Sequence, residues 1–199
     1  MIAIADYDTG NLRSVSEALR RAGAEFVVTS DIGTLRRADK VILPGVGEAS
    51  ASMARLRERG LDAVLPTLTC PVLGICVGLQ LMCRSSDEGG GVDCMGIFPV
   101  RVVRLPEATP EGRWKVPHMG WNTVGELRTP LFAGLEEGAY VYYVHSYAPQ
   151  CGADTIAVTD YGLRFSAALG RGNFFGTQFH PEKSGGVGAR ILENFLKMK

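Results

Sequence analysis

The first half of the chain alternates short apolar runs with segments of helical periodicity. Mainly apolar runs occupy residues 2–5, 26–29 and 41–43, and the apolar residues between the first two repeat at the spacing of one helix face. Residues 71–75 contain no polar side chain, which is typical of a strand that is buried on both faces. Strands that alternate with helices pair in parallel, so the pattern predicts a mostly parallel twisted sheet flanked by helices.

The pattern changes after the triple glycine at residues 89–91. Four later runs are rich in β-branched and aromatic residues: 100–105, 140–144, 155–159 and 174–179. Such runs predict short strands, which we expect to form an antiparallel extension of the sheet. The chain closes with residues 187–197, whose apolar positions share one helix face. The predicted fold class is α/β, of the flavodoxin-like kind.

Length and charge narrow the possible functions. A chain of 199 residues predicts one domain over residues 1–199. Lys and Arg together number 21, as do Asp and Glu, so no net field attracts a nucleic acid, and none is expected as a partner. The longest apolar run, residues 71–83, is too short to span a membrane and includes Gln80. The first residues lack the basic start of a secretion signal, so we expect a cytoplasmic protein.

Five cysteines lie at irregular spacing, at positions 70, 76, 83, 94 and 151. Their number is odd, and no two of them form a C-x-x-C pair. This usage predicts reduced thiols and disfavours disulfides or a zinc site. We therefore expect neither a metal nor a cofactor.

One cysteine stands in a special frame at the junction of a predicted strand and a predicted helix. Residues 74–78 read G-I-C-V-G, the thiol counterpart of the nucleophile elbow G-x-S-x-G. The two glycines remove side chains that would block so sharp a turn. The elbow would expose the sulfur of Cys76 as a nucleophile and offer the backbone N–H of Val77 to an oxyanion. The alternative interpretation is a cysteine buried for packing alone.

A thiol nucleophile needs a base, and the chain has three histidines. His180 follows a predicted strand and precedes Pro181 and Glu182, and proline favours extended backbone in the residue before it. In an extended segment, residues two apart point the same way. We therefore expect Glu182 to orient His180 as the acid and base of catalysis. The alternative is a strand exit with a solvated carboxylate.

A glycine-rich loop, P-G-V-G at residues 44–47, follows the strand expected beside that of Cys76. Its backbone N–H groups can face the same crevice, and Val46 is the simplest choice as second oxyanion donor. A plain turn is the alternative. A phosphate loop is disfavoured because neither G-K-[ST] nor G-x-G-x-x-G is present.

Three motifs together resemble those of the triad-type (class I) glutamine amidotransferases. They are the loop at 44–47, the run G-I-C-V-G-L-Q at 74–80 and the run G-T-Q-F-H-P-E at 176–182. Two further stretches, residues 115–122 and 143–147, resemble a branch of that family, the glutaminase subunits of imidazole glycerol phosphate synthases. The resemblance runs from Asp6 to Ser184 and implies the class I glutamine amidotransferase fold.

What the resemblance implies is hydrolysis of glutamine and delivery of ammonia to a separate cyclase subunit of imidazole glycerol phosphate synthase in a heterodimer. That complex makes imidazole glycerol phosphate and an aminoimidazole carboxamide ribotide in histidine biosynthesis. By the same resemblance, a set of pocket residues would hold glutamine: Gly47, Gln80, Glu88, His145, Ser146 and Tyr147. A second set would face the cyclase: Asn11, Pro117, His118, Met119, Gly120, Trp121 and Lys183. We expect residues 115–122 to form a turn.

The sequence departs from the family pattern at two places. Asp8 stands where the family usually has glycine, which bears on the partner role of the loop that contains Asn11. Glu48 and Ala49 follow the P-G-V-G loop where an aromatic residue is often found, which bears on the packing of that loop.

Three other functions remain open from the sequence. A glutaminase subunit of pyridoxal phosphate synthase would share the fold and the triad, but it has no reason to carry residues 116–122. A non-enzymatic flavodoxin-like module would bind a nucleotide or flavin in the crevice. A thiol peptidase would use the same cysteine and histidine chemistry.

Overall fold

A computed structural model describes residues 1–8 and 11–198 of the protein. The strands are β1 (Ile2–Ala5), β2 (Phe26–Thr29), β3 (Lys40–Leu43), β4 (Val72–Ile75), β5 (Cys83–Ser86), β6 (Val92–Asp93), β7 (Phe98–Arg104), β8 (Ala108–Thr109), β9 (Gly112–Arg113), β10 (His118–Val124), β11 (Ala139–His145), β12 (Tyr147–Pro149), β13 (Thr155–Asp160), β14 (Arg164–Arg171) and β15 (Phe174–Thr177). The helices are α1 (Leu12–Arg21), α2 (Ile32–Arg37), α3 (Ala49–Glu58), α4 (Leu61–Val64), α5 (Val77–Met82) and α6 (Gly185–Lys197).

The central sheet has seven strands in the order β13-β14-β15-β4-β3-β1-β2. The five strands from β15 to β2 pair in parallel, whereas β13 and β14 add an antiparallel extension. Within the parallel part, the order β2-β1-β3-β4-β15 is that of flavodoxin-like doubly wound sheets. The predicted fold class is therefore confirmed.

The register brings the carboxyl ends of three neighbouring strands to one edge of the sheet. Leu43, the last residue of β3, lies opposite Gly74 of β4, and Ile75 lies opposite Thr177 of β15. As a result, the loop after β3, the β4–α5 junction and the segment after β15 begin side by side. Ligands of open α/β sheets bind at this edge.

Smaller sheets pack beside the central one. A four-stranded sheet has the order β12-β7-β5-β6, and β10 and β11 form a two-stranded antiparallel ribbon, as do β8 and β9. None of the helices in residues 1–8 and 11–198 has the length and apolar character needed to cross a bilayer.

The turn expected at residues 115–122 is wrong for most of that stretch. The turn is confined to the residues before His118, where the Val116–Pro117 peptide bond is cis. From His118 onward the chain forms strand β10, whose seven residues all pair with β11. This ladder satisfies the backbone polar groups more completely than a turn would, and it outweighs the turn preference of the glycine at position 120.

Two glycines allow backbone segments near the sheet edge to touch. A Cβ atom on Gly78, in α5, would lie 1.9 Å from the carbonyl oxygen of Leu43. A Cβ atom on Gly188, in α6, would lie 1.9 Å from the carbonyl oxygen of Pro181. Backbone atoms cannot move away as a flexible side chain can, so only glycine fits at either position without a shift of the chain.

Two alanine substitutions in α6 test this close approach. We expect Gly188→Ala to lower the free energy of unfolding by about 1–3 kcal/mol, because the new methyl group must displace the Pro181 carbonyl. Gly186→Ala is the matched control, since a Cβ atom there meets nothing within 4 Å; it should leave stability unchanged or raise it by up to about 1 kcal/mol. Urea unfolding of both variants measures the difference, and equal stabilities would contradict the close contact.

Candidate active site

Cys76 is the single residue between strand β4 and helix α5. Its backbone is held at φ 54° and ψ −109°, a region that residues other than glycine rarely adopt. The glycines on either side make this possible: a Cβ atom on Gly74 would lie 2.8 Å from the nitrogen of Leu79. The backbone N–H of Cys76 also donates to Thr177 at the end of β15, at 2.8 Å. The sulfur is thereby aimed at the crevice beyond the strand ends.

His180 and Glu182 lie in direct contact, with 2.8 Å between Nδ1 of the imidazole and Oε1 of the carboxylate. The backbone of His180 is extended, as the proline after it favours, but the expectation of an extended segment through Glu182 is wrong, because Pro181–Lys183 forms a 3₁₀ turn that Pro181 begins with its fixed φ. The hydroxyl of Ser184 donates to the carbonyl of His180 at 2.6 Å. This bond fixes the backbone of His180 and so helps to hold its ring in place.

The side-chain amide of Asn11 donates a hydrogen bond to the same carboxylate, that of Glu182. Its Nδ2 atom is 2.5 Å from Oε1 of Glu182 and 3.4 Å from Nδ1 of His180. The sequence predicts Asn11 for the partner surface, whereas in the structure its amide is a third member of the His180–Glu182 cluster. An asparagine in a loop before a helix carries no sequence signal that distinguishes these two positions.

The electrostatics of the pair favour a protonated imidazole. Burial alone would lower the pKa of His180, but the negative charges on Cys76 and Glu182 outweigh it and raise the pKa to about 10. Burial opposes ionisation of Glu182 too, yet the hydrogen bonds from His180 and Asn11 prevail and lower the pKa of its carboxyl group. The Nε2 atom of His180 is buried and has no hydrogen-bond partner among the described residues. It is free to exchange a proton with a reacting group.

A cavity of about 150 Å³ is lined by both Cys76 and the glycine-rich loop. Its wall includes Cys76, His180 and both expected oxyanion donors, Val46 and Val77. The loop is held close to the elbow because residue 45 is glycine: a Cβ atom there would lie 2.5 Å from the nitrogen of Gly78.

The same cavity is lined by every residue expected to hold glutamine: Gly47, Gln80, Glu88, His145, Ser146 and Tyr147. Gln80 is almost fully buried, with its side chain inside the protein. The carboxylate of Glu88 accepts the N–H of Ala49 at 2.7 Å, and burial raises the pKa of this carboxyl group.

Val144 also lines the cavity, with its carbonyl oxygen 3.9 Å from the sulfur of Cys76. The sequence did not single it out, because a valine within an apolar strand reads as core.

The residues expected to face a partner do not all lie at the surface. Met119 and Trp121 are exposed on β10, by 62% and 55%, and Pro117 and Lys183 are exposed as well. His118, by contrast, is only 3% exposed, and its Nδ1 atom lies 3.0 Å from Nε2 of His145. The expectation for the His118 side chain is therefore corrected: strand alternation turns it inward, whereas its neighbour Met119 points outward.

The two departures from the family pattern have local partners. The carboxylate of Asp8 forms an ion pair with Arg59 at the end of α3. The carboxylate of Glu48 accepts a hydrogen bond from the hydroxyl of Ser50 at 2.8 Å, and this bond is exposed.

Gly120, another residue expected to face the partner, lies half-buried between the exposed residues Met119 and Trp121 of β10.

Comparison with known proteins gives a consistent picture. The family model described as "Glutamine amidotransferase class-I" matches residues 3–198. The imidazole glycerol phosphate synthase subunit HisH of Bacteroides fragilis is 53% identical over 197 residues, which cover 99% of each chain. The subunit of the same name from Escherichia coli K12 is 48% identical over 198 residues, again 99% of each chain.

Solved structures agree with the fold. A crystal structure of a glutamine amidotransferase has a TM-score of 0.75 at 19% identity and covers 99% of this chain and 98% of its own. A glutamine amidotransferase from Thermotoga maritima has a TM-score of 0.66 at 16% identity, with 98% of this chain and 80% of its own covered. At these identities the likeness concerns the fold alone.

The charge states of the three histidines give a direct test of the site. We expect His180 to titrate near pH 10, whereas burial lowers the pKa of His118 to about 4 and that of His145 to about 3. Cys76→Ala should lower the midpoint of His180, because it removes one of the two negative charges that hold its proton. Titration of ¹³C-labelled histidine rings by NMR measures all three. A midpoint of His180 that stays the same in the variant would contradict the electrostatic coupling.

Proposed function

The chain belongs to the class-I glutamine amidotransferase family, and on that premise we propose that it hydrolyses glutamine through Cys76, His180 and Glu182 and supplies the ammonia to a partner cyclase. The observation that carries this proposal is the convergence of the elbow cysteine and the His180–Glu182 pair on one cavity. The enzyme is a glutamine amidotransferase, in line with its family and with the names of its relatives.

The first step forms a thioester. The thiolate of Cys76 attacks the side-chain amide carbon of glutamine, and the electron pair of the C=O bond moves to the oxygen. The N–H groups of Val77 and Val46 are the proposed donors to that oxyanion, and both residues line the cavity beside the sulfur. His180 then gives its Nε2 proton to the leaving nitrogen, and ammonia departs as the C–N bond breaks.

The second step is hydrolysis of the thioester. Nε2 of His180, now neutral, takes a proton from water as the water oxygen attacks the carbonyl carbon. Collapse of the second oxyanion expels the thiolate, and glutamate leaves. Glu182 holds the imidazole in the orientation that both steps need and stabilises its positive charge. Asn11 supports the carboxylate through a second bond to the same oxygen, Oε1.

The pocket residues offer polar groups that could bind the charged groups of a free amino acid. Glu88 supplies a carboxylate for the substrate ammonium group, and the backbone of residues 145–147 supplies further polar groups; all of these residues line the cavity. A cavity of about 150 Å³ fits a small amide better than a polypeptide, which argues against the thiol peptidase. The relatives named above are imidazole glycerol phosphate synthase subunits, so neither the pyridoxal phosphate synthase subunit nor the flavodoxin-like module is favoured.

The names of the relatives describe one component of a complex. We propose that the partner is the cyclase subunit of imidazole glycerol phosphate synthase, that the complex serves histidine biosynthesis, and that the heterodimer forms on the β10–β11 ribbon. Support comes from large exposed side chains on this ribbon: Met119, Trp121 and Tyr140. Exposed aromatic groups and methionines are typical of interfaces, and Lys183, which follows Glu182 in the chain, is exposed as well.

Ammonia that leaves Cys76 would enter the docked cyclase without crossing bulk water, where it would be protonated and lost as a nucleophile. We also propose a cytoplasmic location, supported by the five cysteines, all of which are free thiols.

Removal of the nucleophile is the primary test. Cys76→Ala should abolish release of ammonia from glutamine, because the thiolate forms the covalent intermediate, and should leave the fold and partner binding nearly intact. Cys151→Ala, which alters an exposed thiol, is the control and should retain wild-type turnover. A coupled assay for glutamate and ammonia measures both. Ammonia release by Cys76→Ala at the wild-type rate would show that another group is the nucleophile.

Charge reversal at Lys183 tests the partner surface. Lys183→Glu should weaken cyclase binding and glutamine-dependent turnover of the complex more than it weakens folding, because an exposed lysine contributes little to stability. Lys197→Glu reverses an exposed charge at the far end of α6. It is the control and should change neither cyclase binding nor glutamine-dependent turnover. The measurements are cyclase titration, coupled turnover and thermal unfolding. A lower melting temperature with unchanged binding and turnover would remove Lys183 from the interface.

A further inference from the structure

We propose that Gln178 is an additional catalytic residue, whose side-chain N–H donates a hydrogen bond to the ionised sulfur of Cys76 and keeps it ready for attack. The inference rests on the proposed function of Cys76 as the nucleophile. It concerns a residue two positions before His180 to which the sequence assigned no role.

The position of Gln178 brings its amide to the reacting atom. The residue directly follows β15 and is fully buried, and its backbone N–H donates to the carbonyl of Ala167 at 2.8 Å. Its Nε2 atom lies 3.6 Å from the sulfur of Cys76. Because Cys76 is itself bonded through its backbone to Thr177, the amide and the sulfur are held by adjacent points of one strand end.

The orientation of this amide decides what it does. An amide nitrogen that faces a thiolate stabilises the charge, whereas an amide oxygen would repel it. The oxygen of Gln178 is already engaged: Oε1 accepts a hydrogen bond from Nε2 of Gln80 at 3.0 Å. With Oε1 turned toward Gln80, the N–H group of Gln178 is left to face the sulfur.

The orientation of Gln80 is decided in turn by a backbone carbonyl. Its Nε2 atom donates to the carbonyl oxygen of Tyr147 at 2.9 Å, and a carbonyl can only accept. Both hydrogens of the Gln80 amide are therefore used, one on Tyr147 and one on Gln178. A flip of the Gln80 amide would place its oxygen against the Tyr147 carbonyl oxygen, and a flip of the Gln178 amide would place its N–H groups against those of Gln80. Either mismatch is costly in a buried site.

The Tyr147 carbonyl is fixed from its other side by a pair of buried histidines. Nδ1 of His145 lies 2.9 Å from it and must carry the proton, so Nε2 of His145 accepts from Nδ1 of His118 at 3.0 Å. Nε2 of His118 then accepts from the amide of Asn122, at 3.4 Å. Burial lowers the pKa of both histidines, to about 4 for His118 and about 3 for His145, so both are neutral near pH 7.

The result is a continuous set of hydrogen bonds from strand β10 to Cys76. Each bond of the set joins one donor to one acceptor. Its members are Asn122, His118, His145, the Tyr147 carbonyl, Gln80, Gln178 and the sulfur of Cys76. Charge-assisted hydrogen bonds are the strong ones, and they are stronger in a buried site than in water. The last bond stabilises the thiolate relative to the thiol, so it favours the reactive form of the sulfur.

The pH dependence of thiol reactivity measures this effect without any need for glutamine. Full-length Gln178→Met retains the length of the side chain but lacks the donor. We expect the rise of the alkylation rate of Cys76 with pH to occur at higher pH in this variant, so that iodoacetamide reacts about tenfold to a hundredfold more slowly on the acid side of the profile and at the wild-type rate on its alkaline side. Peptide mapping by mass spectrometry assigns the reaction to Cys76. Gln150→Met, the same change at an exposed glutamine, is the control and should match wild type.

A folded Gln178→Met protein with the wild-type rate and pH profile would overturn the proposal. If that variant does not fold, Gln80→Met decides, because it frees the Gln178 amide to turn; we expect its alkylation profile to shift in the same direction, and an unshifted profile would overturn the proposal equally. Failure of the underlying function looks different. In that case Cys76→Ala would still release ammonia, whatever the alkylation profiles of the Gln178 and Gln80 variants.

Discussion

The contact between the start of α5 and the end of β3 is the constraint on which the rest of the site depends. Gly78 touches the carbonyl of Leu43, and Gly45 touches the nitrogen of Gly78, so the elbow and the glycine-rich loop are pressed together without any side chain between them. This contact places Val46 and Val77 on one cavity with Cys76. A methyl group at either glycine would move Cys76 away from Val46, one of the proposed oxyanion donors, without changing any reacting group.

The parallel half of the fold could be predicted from the sequence because β1, β4 and most of β3 are buried on both faces and therefore appear as uninterrupted apolar runs. Strand β5 was missed because its sequence, C-R-S-S, is polar and pairs within a small sheet. Helix α2 was also missed, although it had a usable signal: the side chain of Asp31 caps it by accepting the N–H of Thr34. Strand β10 was hidden by a proline and a glycine, whose turn preference the ladder with β11 overrides.

The sequence predicted which residues form the candidate site more completely than it predicted how they are arranged. The glycine frame of Cys76 and the short spacing of His180 and Glu182 are local signals, and the sequence displays local signals directly. The roles of Asn11 and Gln178 depend on contacts between segments more than 100 residues apart, which no local pattern reveals. The sequence also put His180 and Glu182 in contact for the wrong reason, since a 3₁₀ turn and not an extended segment joins them.

Exposure of the ribbon residues also bears on how long the protein survives without a partner. The thioether of Met119 is open to solvent beside Trp121, and oxidation to the sulfoxide would convert an apolar contact group into a polar one. A docked partner would shield this sulfur, whereas a chain made in excess would carry it unprotected. Unassembled copies would thus be oxidised at the proposed interface, and synthesis in balance with the proposed partner would limit that damage.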